Sequence, residues 1–487
     1  MNGCEQALSR IGTRIVFCTF AVALVALAAN AQLAPTAPER PWNHVSTPPL
    51  ERLRGKLTKE FQLSPTETYT LAQLIDLAEQ HNPETREAWE AAKVQVGLLG
   101  IAKSDLYPTL VATAMGQTTQ TGVLINDAFV KQILGLAQGQ AGLNYTIFDF
   151  GARLDRVAKA RANLLSANFG FNDTHRRIIF QVMMFYYQLL NANGQRKAAE
   201  TDLENAKAVQ QAAEARLLHG LATLPDVLET RSATAQAEYD LQQTIGSEEI
   251  ASGDLATTLM ASPESRIHVE GIETLPVPDE LTASVSDLIK RALNQRPDLQ
   301  ARLAEIETAN ASIREARSAY YPVLAFEGTY GYLRAYGEQP PFNGTYAGSP
   351  VYNAQLSLSW TVFDGGRRRN NLAEAKADEK QAEARAEETQ DQIADEVWRS
   401  YSDTKTALRQ RQAAGTLLNA STISYNAALE SYKYGVRNIL DVLSAQRALA
   451  QARSADITAR ARVLTSFADL GYRTGDLLEQ QAAKRKP

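Results

Sequence analysis

The strongest constraint in this sequence is an internal repeat. LIDLAEQHNPETREAWEAAK around Pro83 returns as LIKRALNQRPDLQARLAEIE around Pro297, 214 residues later. Tyr107-Pro108 returns as Tyr321-Pro322, again 214 apart. Phe148-Asp149-Phe150-Gly151 returns as Phe363-Asp364-Gly365-Gly366 at an offset of 215, and HGLATLPDVL (219–228) returns as YGVRNILDVL (434–443), also at 215. Self-similarity at a fixed spacing marks a duplicated structural unit.

Each unit follows one grammar. A helix broken by proline comes first, over about 70–106 and 284–320, and a Tyr-Pro pair stops it, because proline lacks an N–H and disfavours α geometry in the residue before it. Two short alternating stretches follow, joined by a polar, glycine-rich loop. In QLSLSWTVF, Leu356, Leu358, Trp360 and Val362 fall on one face, and Gln355, Ser357, Ser359 and Thr361 on the other. In LNYTIF, Leu143, Tyr145 and Ile147 oppose Asn144 and Thr146. Period two specifies a two-faced strand; the partner strands start at Thr109 and Val323. After Gly151 and Gly366 come proline-free runs, 152–219 and 367–434, each roughly 100 Å long as a helix at 1.5 Å per residue. Ile178, Val182, Phe185 and Leu189 form a stripe at the spacing with which one long helix packs along another. Each run stops at a glycine, Gly220 or Gly435, as at a helix C-cap, and a further helix returns over about 225–260 and 439–470.

Composition narrows the function. The net charge is −5 over 487 residues, which leaves no electrostatic footprint for nucleic acid. The only two cysteines, Cys4 and Cys18, lie inside the first eighteen residues, and the five histidines are scattered without metal-ligand spacing. No phosphate loop, Ser-His-Asp order or HExxH occurs. No enzyme activity, cofactor or metal is expected. Residues 1–31 read as a cleaved secretory signal: Arg10 and Arg14, an apolar run, then Ala29-Asn30-Ala31; an N-terminal membrane anchor is the competing reading. The expected organisation is then a Pro-rich arm (32–65), a first repeat (66–270), a second repeat (271–475) and a tail (476–487).

Four amphipathic strands cannot close a barrel, and an open edge is not tolerated in hydrocarbon. Copies must therefore pool strands, two giving 8, three 12 and four 16, and the strand arithmetic leaves that number open. Leu356, Leu358 and Trp360 suit lipid, and the serines suit a watery lumen. A soluble sheet buried against the helices is the alternative.

The duplicated layout, the FDFG and FDGG turns and the paired HGLATLPDVL and YGVRNILDVL segments resemble the TolC-like outer-membrane efflux factors, over about 63–475. The resemblance implies a mainly α fold with a small β part: four strands per chain joining a trimeric 12-stranded outer-membrane barrel, continued by a long periplasmic α-helical barrel. It implies a homotrimer served by a periplasmic adaptor and an inner-membrane pump, proton-driven (RND) or ABC. Asp226, Tyr432, Arg437 and Asp441 then match the family's periplasmic gate. Gly220, Leu221, Leu224, Gly435, Val436 and Ile439 fall at the adaptor-docking tips, and Leu143, Tyr145, Ile147, Leu356, Leu358 and Trp360 on lipid-facing strands. Ser444 replaces a further acidic residue often found in the ring, which weakens any cation preference. Each residue also has a plainer reading: the aspartates complement a helix dipole, Arg437 is a solvated charge, Tyr432 is packing. Arg367-Arg368-Arg369 reads as the place where strands meet helices or as a solvated first turn, and Asn343-Gly344-Thr345 as a loop tip.

The expected function is a passive exit duct of the outer membrane for efflux or type I secretion. A periplasmic coiled-coil scaffold without a pore competes, but it has no use for two strand pairs with a lipid-like face.

Overall fold

The computed structural model describes residues 63–64, 67–125, 127–273, 275–339 and 342–477. The expected leader, almost all of the Pro-rich arm and most of the tail lie outside them.

The proline-broken helices form where proline suits a first turn. In the first half, α1 (Leu71–His81) starts in a capping box between Thr70 and Gln73. It stops at Asn82, whose side chain then caps α2 (Pro83–Ser104) by accepting from Glu84 N–H at 2.7 Å. In the second half, α5 (Val285–Gln295) is capped by Ser284, and α6 (Pro297–Ser318) begins at its own proline. A proline at the first helical position loses nothing, since its N–H would have no partner there. A two-residue strand β1 (Thr68–Tyr69) precedes α1 and pairs in parallel with β4 (His268–Val269).

The strands are longer than the sequence pattern suggests. β2 (Thr109–Ile125) and β3 (Ala128–Phe148) form one antiparallel hairpin; β5 (Val323–Gln339) and β6 (Phe342–Ser359) form the other. The four make one sheet in the order β2-β3-β5-β6. The glycine-rich stretches expected as loops are strand, and residues 343–345 lie inside β6. Glycine has no side chain to mark a face, so alternation vanishes from the text where the ladder continues. Two other expectations are corrected at the strand ends. Trp360 lies beyond β6, where its indole N–H donates to the Tyr320 carbonyl at 3.1 Å. Ile147 falls in a register shift between Thr146 and Phe148, an extra residue outside the ladder.

The long helices are as the proline-free runs require. α3 (Ala152–Leu218) and α7 (Arg367–Lys433) have 67 residues each. α4 (Leu224–Thr258) returns along α3, and α8 (Ile439–Thr474) along α7. Both strand-to-helix corners are built alike. Gly151 (φ 95°) and Gly366 (φ 92°) take left-handed geometry that costs glycine little. Asp149 then accepts from the backbone N–H and Nε of Arg153, and Asp364 from those of Arg368. Arg368 thus stands where strand meets helix, as half of an enclosed corner pair rather than a solvated charge.

The main core lies midway along the helices. Leu74, Ile75 and Ala78 of α1 pack with Ile178, Val182, Tyr186 and Leu189 of α3 and with Leu255 and Leu259. Tyr186 is buried at the position the heptad stripe gave to Phe185, which is only partly covered. Beside this core runs a chain of alternating charges across both halves. Arg176, with 1% of its side chain exposed, meets Asp173 (2.5 Å) and Asp298 (3.7 Å). Arg296 binds Asp298 and Glu396, both at 2.6 Å, and Arg473 binds Glu396 at 3.0 Å and Asp469 at 3.1 Å. Burial alone raises the Asp298 and Glu396 carboxyls, but bonds and charge from Arg296 outweigh it, so both titrate below the usual range. Carboxylates depressed on folding stabilise the protein above their unfolded pKa, and that stability disappears as pH falls through the folded one. The melting temperature in detergent is therefore expected to drop as pH passes below about 4. Arg296→Ala should lower it at neutral pH and flatten the acid decline. An unchanged acid slope in that variant would contradict this account.

Candidate gate and two-faced sheet

The two hairpin tips are near-copies. α3 ends with the Gly220 N–H bonded to the Leu217 carbonyl and the Leu221 N–H to the Arg216 carbonyl; α7 ends with Gly435 to Tyr432 and Val436 to Ser431. That is the Schellman pattern, closed by glycines at φ 69° and 75°. Each return helix then starts from a capped turn. Asp226 reaches back to accept from the Thr223 N–H and hydroxyl, both at 2.8 Å. In the second tip Asn438 accepts from Asp441 N–H at 2.9 Å. The aspartate carried over as a gate residue is thus also the cap of its own helix.

Behind the tips, Tyr432 packs with Val209, Tyr425, Ala428, Ile439, Val442 and Leu443. Ile439 is 2% exposed, which corrects its placement on a docking surface: the first residue of α8 turns inward to close this core. Leu221, Leu224 and Val436 are open to solvent, as are Leu218 and Tyr434.

The expected Asp226, Tyr432 and Arg437 set is only partly brought together within one chain. Tyr432 is buried, and its hydroxyl has no hydrogen-bond partner among the described residues. Burial raises its pKa, the Arg216 charge opposes that rise and the Asp226 charge adds to it, so the carboxylate acts on the phenol without bonding it. Arg437 is exposed; only its backbone N–H is held, by the Ser431 carbonyl at 3.3 Å. Asp441 is exposed as well.

The residue that sequence reasoning missed is Arg216. Its Nη1 donates to the Tyr432 carbonyl at 2.8 Å and the Lys433 carbonyl at 3.3 Å, and its guanidinium lies 4.7 Å from the Tyr432 ring centre. One hairpin thus caps the other, adding a second donor to the Tyr432 carbonyl that Gly435 already engages and a donor to the Lys433 carbonyl at the exposed helix end. The signal was present in the repeat: 215 residues on stands Ser431, so the arginine has no counterpart. Arg216→Ala should loosen the second tip, since hydrogen bonds from a charged group contribute about 1.5–3 kcal/mol. Trypsin should then cut at Lys433 and Arg437 several-fold faster, and equal rates would show that the contact holds nothing.

At the other end the sheet has two faces of different chemistry, sharpest near the helices; farther out Lys131 and Arg334 join the aromatic side and Leu134, Leu136 and Leu333 the polar side. Directly paired residues share a face, and the pairings put Leu110, Leu143, Tyr145, Leu324, Phe326, Tyr330, Tyr332, Tyr336, Tyr346, Tyr352, Leu356 and Leu358 on one side. The other side carries Thr113, Gln117, Gln138, Gln140, Asn144, Asn353, Gln355 and Ser357, with Glu327 as its one charge among the described residues. The tyrosines went unread because intervening glycines hid their period. Among the described residues no helix is long and apolar enough to cross a membrane.

These features have known counterparts. The profile of the family described as outer membrane efflux protein matches residues 74–259 and 288–475, one segment per repeat. The chain belongs to that family. Protein CyaE of Bordetella pertussis is 26% identical over 411 residues, 84% of each chain. The toluene efflux pump outer membrane protein TtgC of Pseudomonas putida is 25% identical over 408 residues, 82% of this chain and 81% of that one. The fold matches the crystal structure of a membrane protein from Pseudomonas aeruginosa with a TM-score of 0.72 at 22% identity, over 91% of this chain and all of the other. This efflux protein is an exit channel of the outer membrane, with a helical part beneath its strands.

Adjacent residues test the two faces. Leu143→Arg, on the apolar face near the helix end of the sheet, should destabilise the assembled protein, though by less than the about 2–4 kcal/mol that a cation costs at the bilayer centre. Asn144→Arg, on the polar face, should be tolerated. Equal losses in a heat-modifiability gel would refute the assignment.

Proposed function

We propose that three copies assemble into a closed duct that receives solutes from an inner-membrane pump through a periplasmic adaptor and releases them outside. The carrying observation is the four-stranded sheet with one aromatic face, one mostly polar face and outer edges at β2 and β6 that have no strand partner among the described residues. A barrel begins at about eight strands, so one copy is incomplete; three supply twelve. The tyrosine face meets lipid and the polar face lines water. The leader (1–31) directs export, and the two halves, 66–270 and 271–475, act as equivalent staves of the duct.

The tips form the periplasmic gate. In a threefold assembly Asp226 and Asp441 each recur three times, and rings of carboxylates attract cations and repel one another. Arg437, free of side-chain partners among the described residues, is placed to bind a neighbouring tip by a bidentate contact. Leu221, Leu224 and Val436, with Gly220 and Gly435 shaping the turns, present apolar knobs to the adaptor. The name of TtgC, an efflux pump outer membrane protein, supports a pump as partner. The chain itself carries no catalytic chemistry; energy comes from that partner. Which solute passes is set by the pump.

The test is single-channel recording in planar bilayers. The wild-type protein should run as heat-labile trimers from outer-membrane fractions and show a small, mostly closed conductance. Asp226→Ala with Arg437→Ala should raise it several-fold. Conductance fixed at the closed level would overturn the gate, and a monomer that conducts nothing would overturn the duct.

A further inference from the structure

Of the run Arg367-Arg368-Arg369, the fold explains only the middle member. Arg368 is held by Asp364, as Arg153 is by Asp149. Arg367 and Arg369 are exposed, without a side-chain partner among the described residues. Both stand in the first turn of α7, where the helix dipole presents positive charge and disfavours cations. The first repeat has Ala152 and Leu154 in their places, so the corner itself does not require them. A local rule broken twice with no compensating contact points to a negative charge outside the chain.

The excess extends to the other helix ends beneath the sheet. The corners and nearest turns of α2, α3, α6 and α7 (98–107, 149–161, 312–321 and 362–376) hold eleven Lys and Arg against six Asp and Glu. That is a surplus of five positive charges in a chain whose total is −5. Five of the six acids already face an arginine within 4.0 Å. Lys103, Arg161 and Arg317, like Arg367 and Arg369, are exposed and form no ion pair among the described residues.

The same level carries aromatic rings. Phe363 is 86% exposed and Trp360 60%. Phe150 lies 4.7 Å, ring centre to ring centre, from both Phe148 and Tyr321. It takes left-handed geometry (φ 52°), which disfavours any residue with a side chain and which Gly365 supplies in the second half. The Arg153 guanidinium lies 5.7 Å from the ring of Tyr145, a residue of the apolar face, so this corner turns to the lipid side. Exposed rings with cations just beneath them have the make-up of a membrane interface, rings at the acyl boundary and charges among phosphates.

We propose that this belt binds the acidic phospholipid headgroups of the leaflet nearest the helices, with Arg367 and Arg369 on the phosphates and Phe363 and Trp360 at the acyl boundary. The planar fork of a guanidinium matches phosphate oxygens two at a time. An anionic surface attracts each nearby cation roughly fivefold at low salt, and salt screens the attraction. The preference is thus for acidic over zwitterionic lipid. The belt also sets the depth of the sheet, because cations held on phosphates resist being drawn into hydrocarbon. The inference uses the outer-membrane location and does not depend on how many copies close the duct.

Lipid retention by the whole protein is the test. The protein is purified in detergent with equal amounts of phosphatidylglycerol and phosphatidylcholine, and the lipids it keeps are counted by native mass spectrometry. The wild type should keep the acidic lipid at least about fivefold over the zwitterionic one at low salt, and nearly equally at about 0.5 M salt. Arg367→Gln with Arg369→Gln should cut the preference about fivefold or more. Arg409→Gln with Arg447→Gln, which removes two exposed cations far from the corners, should leave it unchanged. Without added lipid, the melting temperature of the Arg367→Gln, Arg369→Gln variant should stay level or rise, because two cations leave a helix N-terminus. A fall would make these arginines structural and overturn the proposal. So would equal retention of both lipids by the wild type, or equal losses in the two double variants. A preference that inorganic phosphate abolishes at unchanged ionic strength would make the belt a site for free anions and overturn it too. Each of these results leaves the duct standing.

Discussion

A backbone N–H or carbonyl facing hydrocarbon without a partner costs several kcal/mol, and that cost governs this molecule. The sheet spends 73 residues on four strands, yet leaves a ladder of polar groups on each outer side. In water such edges are managed with charges, bulges or a covering element. Here no strand covers β2 or β6 among the described residues, and the same four strands carry an aromatic face that water does not favour. The edges and the face require the same solution, more strands of the same kind enclosing a polar interior.

The corner between strand and helix transmits that solution downward. Each 67-residue helix has to leave the sheet at a fixed angle, or the helices beneath could not lie side by side. A left-handed glycine sets the turn. An aspartate then holds both the backbone and the side chain of an arginine four residues on, with 11% and 14% of the arginine side chains exposed. Because the corner recurs in both halves with the same atoms, the strand order above and the helix order below stay in step. The charge chain from Arg176 through Arg296 to Arg473 provides a second tie, across halves rather than along one.

Much of this was legible because duplication and proline are explicit in text. The breaks at Pro83 and Pro297, the stops at Tyr107-Pro108 and Tyr321-Pro322, and the glycine ends at Gly220 and Gly435 placed every long helix within a few residues. Strand length was not legible, since Gly116, Gly135, Gly139, Gly328 and Gly348 sit on the very face whose alternation had to be read. Strand ends were misjudged at Ile147 and Trp360 because a bulge and a terminating turn leave no periodic mark. At the tips, Ile439 looked like an exposed apolar knob beside Val436; only the packing under Tyr432 shows that one turns in and the other out. Arg216 carried no motif at all. Its importance comes from a contact with residues 216 and 217 positions later.

That contact is also where the repeat stops being a repeat. Both tips share the glycine turn and an aspartate at the third helical position, so their backbones are matched. Yet Arg216 gives its hydrogen bonds to the last turn of α7, and no side chain among the described residues returns the favour to α3. The positive end of the arginine also meets the negative end of a helix dipole, where a cation is stabilised. The two hairpins of one chain are therefore tied in one direction. In the proposed threefold ring, joins within a chain would hold this bond and joins between chains would not, so such a ring would part first between chains, with each chain's pair of tips moving as one body.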